Sequence, residues 1–281
     1  MIAPGLHPDV PCHDEAGLRA QPAPLSLLSG QVDIWVALVD QACEAEPASR
    51  YEQVLTQEER LQRARFVFEK DRRRYLVTRA MVRYVLSRYL PIRPQDWRFE
   101  ATYFGRPCII NAHPGVAGLT FNISHSDQVV LLGVTRDARL GIDVEDLQRN
   151  VPIDVADSFF APGEIRQLRA LPPALQAARF LDFWTLKESY IKARGKGLSL
   201  PLDQFGFELG VEPQLQVNFE PALNDAPHNW TFWQWRPSAD SIAALCVESR
   251  PGIGHSIKVR STIPFVMEQD MTFDVVRESL R

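Results

Sequence analysis

Phe183-Trp184-Thr185-Leu186-Lys187-Glu188-Ser189-Tyr190-Ile191-Lys192-Ala193-Arg194-Gly195-Lys196-Gly197-Leu198 is the stretch around which the chain is organised. It reads as the last turns of a helix. Trp184, Glu188 and Lys192 recur at four-residue spacing and so share one stripe. A Glu four residues before a Lys is the better orientation for a helical ion pair. Gly195 ends the helix, as glycine does where a left-handed backbone is needed, and Gly197 keeps the exit tight. Alone, the stripe reads first as a solvated Glu–Lys face with a half-buried Trp, because surface pairs of this kind are common. Residues some forty positions upstream change that reading.

The chain has 281 residues, enough for one large domain or two of ordinary size. An apolar share of 45% with 23% charged residues is that of a soluble globular protein. The net charge of −4 argues against a general nucleic-acid binder. Between Glu58 and Arg93, however, eleven Arg or Lys face four Asp or Glu. Such a block suits phosphates or an acidic protein partner, or else a solvated pair of amphipathic helices. Cys12, Cys43, Cys108 and Cys246 lie far apart, which suggests neither a zinc site nor a disulfide framework and makes a reducing cytosol the default. No signal-like N-terminus and no membrane-length apolar run is present, so a soluble, cytoplasmic protein is expected.

Residues 1–30 read as a mobile leader. Val32–Val39 is a largely apolar, central strand. After a linker, Thr56-Gln57-Glu58-Glu59 is a capping box opening a helix to about Glu69, and Asp71 starts a second helix that Pro91 ends. A β-rich block follows: Trp97–Tyr103 extended, Gly105-Arg106-Pro107 a turn, Leu119–Ser124 a strand, then Val129–Thr135 and Arg139–Glu145 as a hairpin. Residues 147–152 form a polar hinge. Helices are expected at Ile153–Phe160, Pro162–Leu171 and Pro173–Arg194, and strands at Phe205–Leu209, Leu215–Phe219, Trp230–Arg236 and Ser241–Glu248. The alternation of Trp230, Phe232, Trp233 and Trp235 fits a packed sheet face better than a stacking platform for bases. The segment after Gly254 ends in a short helix from Met267. The expected organisation is therefore a leader (1–30), an α+β half (31–148), a second α+β half (149–250) and a tail (251–281), the helix-then-sheet order occurring twice.

Three segments carry chemistry. In Phe121-Asn122-Ile123-Ser124-His125-Ser126, a Ser and a His leave a strand together and can both donate to an anion, although a lone His is more often structural. In Gly141-Ile142-Asp143-Val144-Glu145, Asp143 and Glu145 project to one strand face while Ile142 and Val144 pack inward. Two such carboxylates repel unless a cation sits between them, and oxygen-only ligands suit Mg²⁺; solvated acids at a strand edge are the other reading. Glu188 would make a third acid, with Lys192 or Lys187 to counter phosphate charge. A carboxylate nearby can accept the proton of an attacking hydroxyl.

With these three segments in order, followed by Gly195-x-Gly197-Leu198, the chain resembles the 4′-phosphopantetheinyl transferases of the surfactin-synthetase-activating type. Gly105-Arg106-Pro107 is similar to that family's Gly-Lys-Pro element, and Phe159-Phe160 with Glu164 to another shared segment. The likeness runs from about Glu58 to Phe207. It implies an α+β fold of two similar halves packed as an intramolecular pseudo-dimer. It implies transfer of phosphopantetheine from coenzyme A to a serine of an apo acyl or peptidyl carrier protein, with release of 3′,5′-ADP, by a monomer serving fatty-acid, polyketide or peptide synthesis. By position, Asp143, Glu145 and Glu188 would hold Mg²⁺, and Glu188 would be the base. Lys192 would stabilise the diphosphate, and Ser124, His125, Arg106 and Lys187 would contact coenzyme A. Gln62 stands where relatives carry a basic residue, so the 3′-phosphate contact passes to Arg63 or Arg65, Arg63 being preferred. A binding module that holds coenzyme A or a carrier without turnover is the alternative, and the complete acidic set weighs against it.

Overall fold

The computed structural model describes residues 23–211 and 213–279. In chain order the elements are β1 (Gln31–Leu38), α1 (Val39–Ala45), α2 (Ala48–Glu52), α3 (Gln57–Ala64), α4 (Glu69–Leu86), β2 (Phe99–Ala101), β3 (Pro107–Ile109), β4 (Leu119–His125), β5 (Val129–Arg136) and β6 (Leu140–Asp146). There follow α5 (Ala156–Phe159), α6 (Pro162–Arg169), α7 (Pro173–Arg194), β7 (Phe205–Leu209), β8 (Gln214–Phe219), β9 (Trp230–Ser238), β10 (Ser241–Glu248), β11 (Ser256–Ile263), β12 (Met267–Met271) and β13 (Val275–Ser279). The fold is α+β.

Two sheets form the frame. The first runs β12-β11-β1-β5-β4 and the second β6-β10-β9-β13-β8-β7. Strand β1 is largely apolar because both its faces are covered, with Gln31 and Asp33 its two buried polar residues. Trp35 and Ala37 meet Leu76, Val77, Ala80 and Met81 of α4, while Val32, Ile34 and Val36 join Leu140, Ile142, Trp233, Trp235 and Leu245 between the sheets. Strand β9 divides in the same way. Trp233 and Trp235 enter the inter-sheet core, whereas Trp230 and Phe232 pack with Phe183, Leu186 and Tyr190 of α7. The aromatic alternation is therefore a packed sheet with two buried faces.

Several expectations are corrected. Strands β5 and β6 are not a hairpin: β5 pairs with β1 and β4, whereas β6 crosses over to pair with β10. The division at 147–152 thus falls after a strand that already belongs to the second sheet. Residues 251–281 are not a separate tail. Strand β11 pairs parallel to β1, β12 is a strand where a helix was expected, and β13 inserts between β9 and β8. The C-terminal segment stitches both sheets. Its anchor is a buried network in which Asp33 accepts bonds from Arg260 (2.8 Å), Tyr89 (2.7 Å) and Gln31 (2.6 Å). Of the expected leader, residues 1–22 lie outside the described residues; Leu25 donates its N–H to the Arg88 carbonyl and packs, with Leu27, on the first core. The expected linker after β1 contains α1 and α2. The capping box forms as expected, Thr56 accepting from Glu59 N and Glu59 from Thr56 N. No described helix is long and apolar enough to cross a membrane.

Candidate active site

The site lies where the facing edges of the two sheets, β4 and β6, meet beneath the end of α7. Gly141 allows the meeting: α7 rests on β6 so closely that a Cβ at this residue would sit 2.0 Å from the Ser189 carbonyl oxygen. Asn122 Oδ1 accepts the Ile142 N–H at 2.8 Å, and Ser124 Oγ accepts the Val144 N–H at 3.3 Å, so β4 holds β6 through side chains rather than a strand ladder. Gly195 ends α7 at φ 65°, as the sequence predicts, its N–H bonding the Ile191 carbonyl.

Asp143 is the centre. Its Oδ1 accepts from Ser124 Oγ at 2.8 Å and from Lys192 Nζ at 2.7 Å. Its Oδ2 is buried with no hydrogen-bond partner among the described residues. Lys192 also donates to Ser124 Oγ at 2.9 Å, so the ammonium reaches across to β6 instead of back to Glu188 as the helical spacing predicted. Glu188 makes no ion pair among the described residues; burial first, then repulsion from Asp143 and Glu145, pushes its carboxyl up to about 7 against the pull of Lys192. Burial likewise raises Glu145, which ion-pairs with Arg149 at 2.7 Å.

Two clefts flank this centre. The larger, about 540 Å³, is lined by Asp143, Glu145, Ser124, His125 and Lys192 together with Arg74, Tyr75, Thr78 and Arg79 of α4. The smaller, about 230 Å³, is lined by Glu188, Lys192, Ile191 and Ile123 with Phe104 and Arg106. Asn122, Ile123, Pro107 and Lys192 border both. His125 is exposed to the larger cleft, and partial desolvation there, followed by the Arg74 and Lys192 cations, lowers its pKa. As they stand, no three carboxylate, imidazole or thiol groups among the described residues are gathered into a ready metal cage. The donor chemistry nevertheless suits a hard divalent cation: all-oxygen ligands, mutual repulsion, and one buried Asp143 oxygen without a partner.

Three expected coenzyme A contacts are redirected. Lys187 is buried on the other face of α7, where its ammonium meets Glu164 at 2.8 Å and the carbonyls of Leu202 and Phe205 at 2.7 and 2.6 Å. It is a core ion pair. The Arg106 guanidinium donates to the carbonyls of Lys192 (2.8 Å), Phe121 (3.3 Å) and Leu140 (3.2 Å), bracing the seam between the sheets. Arg63 pairs with Glu52 and does not line either cleft. Trp184 is a packing residue, stacked on Phe180 at 5.8 Å. Sequence reasoning missed the cations that α4 does supply to the cleft wall, Arg79 and Arg74, the latter also paired with Asp71 at 2.6 Å and Asp127 at 2.7 Å. Asp71, Arg74, Tyr75, Thr78 and Arg79 recur at helical spacing, a polar stripe readable within the basic block.

A cleft lined by the α4 cations Arg74 and Arg79 and by the β6 acids Asp143 and Glu145, at the seam of the two sheets, suits an anionic, phosphate-bearing substrate. Comparison with known proteins makes this specific. Residues 139–246 match the family described as the 4′-phosphopantetheinyl transferase superfamily, and residues 44–136 match 4′-phosphopantetheinyl transferase, N-terminal. The chain is 32% identical to the 4′-phosphopantetheinyl transferase HetI of Nostoc sp. over 231 residues, covering 81% of this chain and 92% of that one. It is 33% identical to the 4′-phosphopantetheinyl transferase Sfp of Bacillus subtilis over 184 residues, covering 66% and 80%. It is 34% identical to the 4′-phosphopantetheinyl transferase gsp of Aneurinibacillus migulanus over 142 residues, covering 50% and 56%. The chain belongs to the 4′-phosphopantetheinyl transferase superfamily and is an enzyme of that kind.

Proposed function

We propose that the protein transfers the 4′-phosphopantetheine group of coenzyme A to a serine of an apo carrier protein, with Mg²⁺, and releases 3′,5′-ADP. The serine oxygen bonds to the phosphorus that bears pantetheine, and the bond from that phosphorus to the oxygen of the adenylate phosphate breaks. The observation that carries the reading is the Asp143–Lys192–Ser124 cluster at the junction of the two clefts, with a buried carboxylate oxygen left unpartnered. Asp143, Glu145 and Glu188 would hold Mg²⁺, which supplies charge neutralisation on the diphosphate oxygens. Glu188, whose carboxyl sits at about 7, accepts the serine proton from the smaller cleft. Lys192 stabilises the leaving phosphate. His125, Arg74 and Arg79 bind phosphate along the larger cleft, as charge-assisted donors do. Ser124 acts mainly by holding Asp143 and Lys192 together.

The basic Glu58–Arg93 block, which contributes α4 to the cleft wall, is the docking side for a carrier protein acidic around its serine. Free Cys43, Cys108 and Cys246 accord with a cytoplasmic protein. The test is incubation with coenzyme A, Mg²⁺ and a panel of apo carrier domains, read by intact mass. The expected result is a gain of one phosphopantetheine on a carrier, nearly abolished in Asp143→Ala and Glu188→Ala variants that keep a native circular-dichroism spectrum. Normal loading by either variant refutes the site.

A further inference from the structure

Strand β6 carries two of the three acids, and it is gripped from two sides by residues with no charge of their own. On the helix side lies Gly141. Its Cβ, were there one, would sit 2.0 Å from the Ser189 carbonyl oxygen, 2.4 Å from Ala193 N and 2.9 Å from the Lys192 carbonyl carbon. All three are main-chain atoms of α7, so no side-chain rotation relieves the overlap. Non-bonded heavy atoms settle at about 3.5–4 Å, so helix and strand would part by roughly 1 Å or more. On the other side lies Asn122. Strands β4 and β6 belong to different sheets, and the buried amide oxygen of Asn122 fills the place of a strand partner for Ile142 N–H.

We propose that Gly141 and Asn122 are positioning residues of the active site. Gly141 sets the depth of α7 on β6, and Asn122 sets the register of β6 against β4. Together they fix how closely Glu188 and Lys192, on the helix, approach Asp143 and Glu145, on the strand. The Lys192–Asp143 contact at 2.7 Å leaves less than about an ångström before a hydrogen bond is lost, no more than the displacement an alanine at Gly141 would impose. The same margin applies to acids that must meet on one cation, so the inference rests on the metal-assisted reading above.

The test uses the full chain and three variants: Gly141→Ala, Asn122→Leu and, as a control, Gly206→Ala. A Cβ at Gly206 would sit 2.8 Å from Ala161 Cβ, a tight contact of β7 with the residue that caps α6, outside both clefts. Mn²⁺ binding without coenzyme A or carrier is followed by electron paramagnetic resonance, beside kcat, the KM for coenzyme A and the melting temperature. Gly141→Ala and Asn122→Leu should each weaken Mn²⁺ binding by about tenfold or more and lower kcat by a similar factor. The KM for coenzyme A should stay within about threefold, because the positively charged wall on α4 is untouched; a direct substrate contact by Asn122 would move KM instead. Gly206→Ala should lower the melting temperature and leave Mn²⁺ affinity and kcat unchanged. Wild-type Mn²⁺ affinity and kcat in folded Gly141→Ala overturn its role, as would equal losses in Gly206→Ala. Should Gly141→Ala not fold, Asn122→Leu decides by the same readouts. If the unaltered chain binds no Mn²⁺, the metal reading fails, and the kcat-against-KM split then judges the positioning role alone.

Discussion

Replacing Lys187 by methionine separates a core ion pair from a phosphate contact. The Lys187 and Glu164 side chains are 1% and 0% exposed. Glu164 also accepts the N–H groups of Ala161 at 2.8 Å and Phe207 at 3.1 Å. The ammonium therefore satisfies one carboxylate oxygen and two carbonyls, and lies 4.3 Å from the centroid of the Phe205 ring. Lys187→Met fills similar volume but strands a buried carboxylate. The cost expected for breaking such a pair from one side is about 3–5 kcal/mol. At roughly 2–4 °C per kcal/mol for a chain of this size, the melting temperature falls by about 6–20 °C. Burial already raises the Glu164 carboxyl, and Lys187 opposes that rise. Without the cation, the folded-state pKa climbs further above its unfolded value. The variant's deficit is then smallest at acidic pH and widens as pH rises through the carboxylate range. Removing both charges, in Lys187→Met/Glu164→Gln, should recover about half the loss or more. Urea unfolding followed by tryptophan fluorescence measures these differences, and steady-state kinetics at low temperature gives the KM for coenzyme A, expected to hold within about twofold. Unchanged stability with a tenfold higher KM would refute the assignment and return Lys187 to the substrate.

Glu188→Gln should abolish the acidic limb of the loading profile: in the wild type the rate falls as pH drops below about 7 and the base becomes protonated, whereas the residual rate of the variant is flat, and bound Mg²⁺ moves the wild-type midpoint downward. Arg74→Ala should raise the KM for coenzyme A by about tenfold or more, the loss of a charge-assisted phosphate contact. Arg63→Ala should leave it within about twofold, since Arg63 is held by Glu52 away from both clefts. The carrier KM should rise with ionic strength, and a flat salt response in stopped-flow binding would count against docking on the basic block.

Local signals carried far in this chain. The Thr56 capping box, the Gly195 terminator, the pairing of Asp143 with Glu145 on one strand face, and the apolar character of β1 all depend on neighbours within a few residues, and all appear as expected. The burial of Ile142 and Val144 beside two acids at the cleft follows from the strand's two-residue period alone. The cleft-facing stripe on α4 was legible too, since Asp71, Arg74, Tyr75, Thr78 and Arg79 recur at the helical spacing that also lines up Glu188 and Lys192 on α7.

By itself, then, the amino-acid order determined which elements exist, which acids share a face and which family the chain resembles. Only the tertiary structure decided the partners of long side chains. Lys192 has Glu188 one turn back and Asp143 across the seam, and takes the latter because Gly141 brings β6 within reach. Lys187 sits one residue before Glu188, yet a turn of about 100° per residue sends it into the core, where Glu164 awaits from another helix. Strand β6 leaves its sequence neighbour β5 for β10, and the C-terminal strands enter both sheets. Pairing across a hundred residues is decided by which apolar faces can be buried together, and no local pattern encodes that sum.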